Sequence, residues 1–136
     1  MKAVDTHVLC RFFIDDPEDP QAARQRPAAV AALSGRVFVP VTVVLEFEWV
    51  MRGFYALPKR EILRVLRALA GIEHVTLEDR KHVLLALEAF EGGLDLADAL
   101  HLVRCSPCAE FVSFDRKLVR RAQALGLSPA AVLLTG

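Results

Sequence analysis

The chain has no excess of charge of either sign: 17 Lys and Arg stand against 17 Asp and Glu, so it is formally neutral at pH 7. A strongly basic balance would advertise a nucleic-acid surface, and that signal is missing. Neutrality still allows a local basic rim beside an acidic site, because the two sum to zero. Balanced charge also favours self-association. Cysteine is scarce and odd in number, three in all. That argues against a disulfide framework and makes a reducing compartment the default. Long apolar runs are missing too. The segment after Met1-Lys2 is broken by Asp5, His7 and Arg11, so no signal peptide is expected. No stretch reaches the roughly 18 apolar residues of a membrane span. No repeat, linker or low-complexity tract divides the chain. The expectation is a single cytoplasmic domain, residues 1–136, with no membrane segment.

Apolar residues make up 54% of the 136, enough for a real core. Short apolar runs at 2–5, 36–40, 73–77 and 110–114 read as strands, and Val132 to Thr135 as an edge strand. Helical spacing fills the intervals. Val8, Leu9, Phe12 and Phe13 form one stripe, stopped by Asp15-Asp16-Pro17. Residues 20–34 form a second helix. A third runs from about 43 to 56 with Thr42 as its cap, and a fourth from Pro58 to Gly71. Thr76-Leu77-Glu78-Asp79 opens a helix to about Phe90. After Gly92-Gly93, helices follow at about 95–105 and from Asp115 to Leu125, with Gly126 as the stop. The strands are apolar rather than two-faced and alternate with helices. That pattern predicts an α/β fold with a parallel sheet sandwiched by helices.

Open parallel sheets build their sites at the C-terminal ends of strands. Asp5 closes the first strand and Asp115 follows the fourth. Glu46 lies one turn into the helix after the second strand, and Asp98 in the first turn of the helix before the fourth. Asp5, Glu46 and Asp98 have apolar neighbours, where an acid must be paired or bound to a cation. Two carboxylates 4 Å apart repel by roughly 4 kcal/mol at an effective dielectric of about 20. A hard divalent cation removes that repulsion, and oxygen-only donors select Mg²⁺ or Mn²⁺ over zinc. The competing reading is that each Asp is simply a helix cap, which suits Asp95 and Asp115. Glu48 is expected to face solvent.

Four stretches carry a resemblance. Val4-Asp5-Thr6-His7-Val8-Leu9, Val43-Val44-Leu45-Glu46-Phe47-Glu48-Trp49-Val50, Asp95-Leu96-Ala97-Asp98-Ala99-Leu100-His101-Leu102 and Ser113-Phe114-Asp115-Arg116-Lys117-Leu118 are similar to the four motifs of PIN domains, in particular the VapC-type toxins. Their order and spacing match from residue 2 to about 128. The resemblance implies a Rossmann-like sheet of order 3-2-1-4-5 and a Mg²⁺- or Mn²⁺-dependent endoribonuclease. It implies that Asp5, Glu46, Asp98 and Asp115 form the acidic metal site, with Thr6 and Ser113 holding carboxylates through their hydroxyls. It also implies a homodimer and a cognate antitoxin protein.

One position departs from the motif: His7 stands where the family usually has Asn, and it is read as a packing or supporting residue rather than a metal ligand. Basic residues cluster at Lys59, Arg60, Arg64 and Arg67, read as a solvated face, and at Arg116, Lys117, Arg120 and Arg121. The second cluster, which starts one residue after Asp115, is the better candidate for holding RNA phosphates, with Arg116, Lys117 and Arg120 foremost. His101, three residues after Asp98, is read mainly as core. Cys105-Ser106-Pro107-Cys108 has redox spacing, but it follows a helix rather than opening one. It is read as structural or as an incidental disulfide. A zinc site there would lack two ligands. Phe12, Phe13, Phe47, Trp49, Phe54, Tyr55 and the Ile62–Leu69 stripe exceed one core face, so part of this surface is expected to meet a dimer mate or an antitoxin. Three rival readings remain. A haloacid-dehalogenase-type phosphotransferase needs an Asp where His7 stands. A catalytically silent PIN-like module would bind a partner but no metal. A housekeeping RNA-processing nuclease would lack an antitoxin gene beside it.

Overall fold

A computed structural model describes residues 1–135. The chain separates into two compact units, Met1–Asp79 and Arg80–Gly136.

In the first unit, β1 (Lys2–Ala3) ends early because Asp5 turns the chain into a helix. Asp5 is extended, with φ −89° and ψ 167°, and its side chain caps α1 (Thr6–Phe13) by accepting from the Thr6 N–H. α2 (Pro20–Leu33) starts on an Asp19 cap followed by Pro20 at the first helical turn. Arg26 ties α2 to the end of α1 by donating to the carbonyls of Arg11 and Phe12. β2 (Val37–Val39) follows, with Val37 and Val39 fully buried. α3 (Val41–Gly53) and α4 (Lys59–Gly71) then lead to β3 (Val75–Leu77).

Thr42 does not cap α3. The cap is Pro40, which has no side chain to offer, and Glu78 supplies the acceptor instead: its Oε1 takes the Val41 N–H at 2.9 Å. The end of β3 thereby secures the start of α3. Glu48 also differs from expectation. It is 1% exposed, and its carboxylate accepts from Arg52 Nε at 3.2 and 3.3 Å. A carboxylate can stay buried there because its partner sits one turn along the same helix. The three strands are parallel in the order β1-β2-β3, with Lys2 opposite Val37 and Val37 opposite Val75.

The second unit begins after Asp79, whose φ of +52° ends the extended chain. α5 therefore runs Arg80–Glu91 and does not open at Thr76, which β3 retains. Gly93, at φ +108°, turns the chain into α6 (Leu96–Val103). A turn closed by the Cys108 N–H on the Cys105 carbonyl at 2.8 Å leads to β4 (Glu110–Ser113). Both of those thiols are free, so there is no disulfide. α7 (Arg116–Ala124) and β5 (Ala130–Leu133) complete the unit, and β4 and β5 pair in parallel, Glu110 opposite Ala130.

The five strands form two sheets, β1-β2-β3 and β4-β5, rather than one sheet of order 3-2-1-4-5. β1 is only two residues long and spends its hydrogen bonds on β2. β4 pairs along its whole length with β5. Val112 of β4 is 51% exposed. The expectation of uniformly buried strands holds for the valines of β2, not for β4. The α/β class, parallel pairing and flanking helices are as expected.

Phe47 and Trp49 test this packing from one helix. Phe47 is 0% exposed, with its ring 6.0 Å from that of Phe13, whereas Trp49 is 68% exposed. Phe47→Ala should destabilise the protein by about 3–5 kcal/mol, and Trp49→Ala by no more than about 0.5 kcal/mol. Urea unfolding followed by circular dichroism reads both, and similar midpoints for the two variants would contradict the burial pattern.

Candidate functional site

In the first unit two acids meet around Thr6, which is fully buried. Its backbone N–H donates to Asp5 Oδ1 at 2.7 Å, and its hydroxyl donates a short hydrogen bond to Glu46 Oε1. Thr6 can do both because it is the first residue of α1, where the amide has no helical acceptor. Glu46 arrives from the second turn of α3, which packs against α1. Each carboxylate gives one oxygen to Thr6, and both residues are exposed. Cys10, one turn after Thr6, is buried, and burial pushes its thiol up to about 11, with the Glu46 charge adding to the effect. It is therefore protonated and inert at neutral pH.

In the second unit Asp98 and Asp115 line one cavity of about 210 Å³, together with Asp95, Lys117, Arg121 and Gly93. Asp98 lies in the first turn of α6. Burial, followed by the like charges of Asp95 and Asp115, raises its pKa above the ordinary carboxylate value, and His101 opposes this. Asp115 is the N-cap of α7: its Oδ1 accepts from the N–H groups of Lys117 at 3.0 Å and Leu118 at 3.1 Å. The Ser113 hydroxyl accepts from the Asp115 N–H at 2.9 Å, so it steadies the backbone of that acid rather than its carboxylate.

His7 is exposed and lines an apolar cleft of about 260 Å³ with Arg11, Gln25 and the alanines of α2. His101 is exposed rather than part of the core. Among the basic candidates Lys117 lines the acidic cavity, while Arg116 and Arg120 lie exposed on α7 outside its lining. Arg121, the fourth member of the same basic cluster, lines it as well. Helical spacing held the clue, because Lys117 and Arg121 are i,i+4 on one ridge and Arg116 and Arg120 on another. Both ridges are charged, so the pattern could not say which one borders the acids.

Both acid pairs offer carboxylate oxygen only, the donor chemistry of a hard divalent ion. Asp98 in particular carries like-charge repulsion that a cation would relieve. Among the described residues no three or more His, Cys, Asp or Glu side chains are gathered to hold a metal ion. No helix among the described residues is long and apolar enough to cross a membrane.

No curated protein and no solved structure matches the chain. The PIN domain family model matches residues 2–124, a span that contains all four acids and both units. PIN domains are generally metal-dependent nucleases. With nine-tenths of its length matched and a parallel α/β architecture, the chain belongs to the PIN domain family.

Proposed function

We propose that the protein is a Mg²⁺- or Mn²⁺-dependent endoribonuclease acting as a single 1–136 domain, with Asp5, Glu46, Asp98 and Asp115 as its acidic metal-holding and catalytic residues. The observation that carries this reading is Asp98. It is a half-buried carboxyl, raised by burial and by the charges of Asp95 and Asp115, in a cavity that also holds Lys117 and Arg121. Like charges gathered beside cations suit a divalent ion and a phosphodiester together. When bound, the ion supplies an activated water and neutralises the charge that develops on the phosphate.

The chain's own residues do the positioning. Thr6 orients Asp5 and Glu46, and Ser113 steadies the backbone that presents Asp115. Arg116, Lys117 and Arg120 draw in the RNA backbone. The family setting supports a finer reading: a cytoplasmic toxin of the VapC type, dimeric, and silenced by a cognate antitoxin protein. His7, which lines the α1–α2 cleft, packs or supports its neighbours and is not a metal ligand.

Incubation of the purified protein with a structured RNA and Mg²⁺ or Mn²⁺ should yield cleavage that EDTA abolishes. Asp98→Asn should lower the rate by roughly 100-fold or more, and His7→Asn should leave it unchanged. Cleavage that survives in Asp98→Asn would point to a contaminant. No cleavage together with no metal binding would favour the silent, partner-binding module. A neighbouring small gene whose product blocks cleavage would support the toxin reading, and its absence the housekeeping nuclease.

Asp98 should also trade stability for function. Its folded-state pKa is raised, so folding favours the protonated carboxyl. That contribution is complete below the ordinary value of 3.8 and is lost as pH rises through the raised folded value. At neutral pH the metal-free protein carries the ionised group at a penalty. Asp98→Asn should therefore stabilise the metal-free protein at pH 7 by up to about 0.5 kcal/mol, a modest figure because water screens a half-exposed group. The gain should vanish at acid pH. Thermal unfolding in EDTA across the pH range measures this, and a destabilised variant at neutral pH would contradict it.

A further inference from the structure

We infer that Arg121, with Lys117 one turn before it, holds a phosphate of the RNA backbone in the cavity lined by Asp98 and Asp115. The inference deepens the ribonuclease reading and rests on it.

Arg121 sits on α7, on the same ridge as Lys117, and both line the cavity. Its guanidinium lies against Gly93. A Cβ built at that glycine would stand 3.3 Å from both Cζ and Nε of Arg121, closer than most side-chain contacts. Gly93 has φ +108°, a conformation that L side chains rarely adopt. The backbone at this turn therefore provides a bare floor on which the planar guanidinium lies.

An arginine placed beside three carboxylates for structural reasons would be expected to pair with one of them. Among the described residues Arg121 forms no ion pair, although Asp95, Asp98 and Asp115 line the same cavity. Its fork of donors stays open to a ligand. A phosphodiester is the ligand that suits both sides of such a cavity. Its non-bridging oxygens accept from a guanidinium in a two-pronged contact, and they also approach a cation held by carboxylates. The opposite ridge, Arg116 and Arg120, lies outside the lining and can give only a diffuse attraction.

The test is binding of a fluorescently labelled single-stranded RNA by anisotropy in EDTA over a series of salt concentrations. Wild type, Arg121→Ala, Arg121→Lys and Gly93→Ala are compared, with cleavage in Mg²⁺ measured in parallel. Losing one phosphate contact should lower the slope of log K against log salt by about 0.7, equivalent to roughly fivefold weaker binding at about 0.1 M salt if the curves meet near 1 M. Arg121→Lys should restore the slope, because the charge returns. It should not restore the full cleavage rate, because the planar fork does not. Gly93→Ala should weaken binding in the same direction through a displaced guanidinium. If wild type binds and cuts RNA while Arg121→Ala keeps the wild-type slope, the role of Arg121 is overturned and the nuclease reading stands. If wild type neither binds nor cuts RNA, the nuclease reading falls, and the assignment of Arg121 with it.

Discussion

A carboxylate at the start of a helix is held by backbone amides, and this arrangement organises both halves of the molecule. Asp5 caps α1 and Asp115 caps α7, each through Oδ1. The helix N-terminus offers unpaired N–H groups and the positive end of the peptide dipoles, which offsets the cost of keeping acids together. Capping and metal binding are thus not rival roles for such a residue. The cap engages one oxygen and fixes the rotamer, and the second oxygen is left to face a ligand. Glu46 reaches the same state by another route, with Oε1 fixed by the Thr6 hydroxyl. The buried hydroxyl of Thr6 is the hinge of the first unit's acidic pair, because its amide and its side chain each hold a different carboxylate.

Much of this was legible in the sequence, for identifiable reasons. Helices with strong apolar spacing, such as α4 with Ile62, Leu63, Val65, Leu66 and Leu69 on one face, declare themselves through burial. The positions of the acids in the fold were legible, because three of them follow strands directly or within a turn. Long-range partners were not. Thr42 was a reasonable cap by local rules, but Val41 finds its acceptor 37 residues away in Glu78. Glu48 looked like a surface acid because periodicity cannot foresee that its carboxylate turns inward while Arg52, one turn on and still exposed, pairs with it. Strand order was equally out of reach. A run such as Glu110–Ser113 reads as a strand, but nothing within it announces that its partner is β5.

The imprint of Asp98 on stability follows from the same electrostatics. A protein selected only to fold would place an amide or an apolar group in the first turn of α6, where Asp95 and Asp115 already supply negative charge. Keeping a third acid there, half-buried, raises the free energy of the metal-free state. The chain bears this at a place where a cation would turn repulsion into attraction. Cys10 shows the contrast. It too lies close to a carboxylate, but its burial keeps it neutral, and its elevated pKa takes it out of the chemistry.

The neutral charge of the chain finds its physical meaning on α7. Asp115 caps the helix, and Lys117 and Arg121 rise from it on one ridge while Arg116 and Arg120 rise on the next. Lys117 and Arg121 share a cavity with Asp95, Asp98 and Asp115, so these bases meet acids instead of standing as an isolated basic patch. A basic patch would attract any polyanion from a distance, and the sum of charges would reveal it. An acidic cavity rimmed by arginine and lysine gives no long-range signal. Its attraction for a phosphate strengthens once a cation has offset the carboxylates, because the guanidinium and ammonium groups then act with less opposition. On the nuclease reading, recognition of RNA and occupation of the metal site are then coupled through the field they share. A zero net charge is what such coupling leaves in the composition.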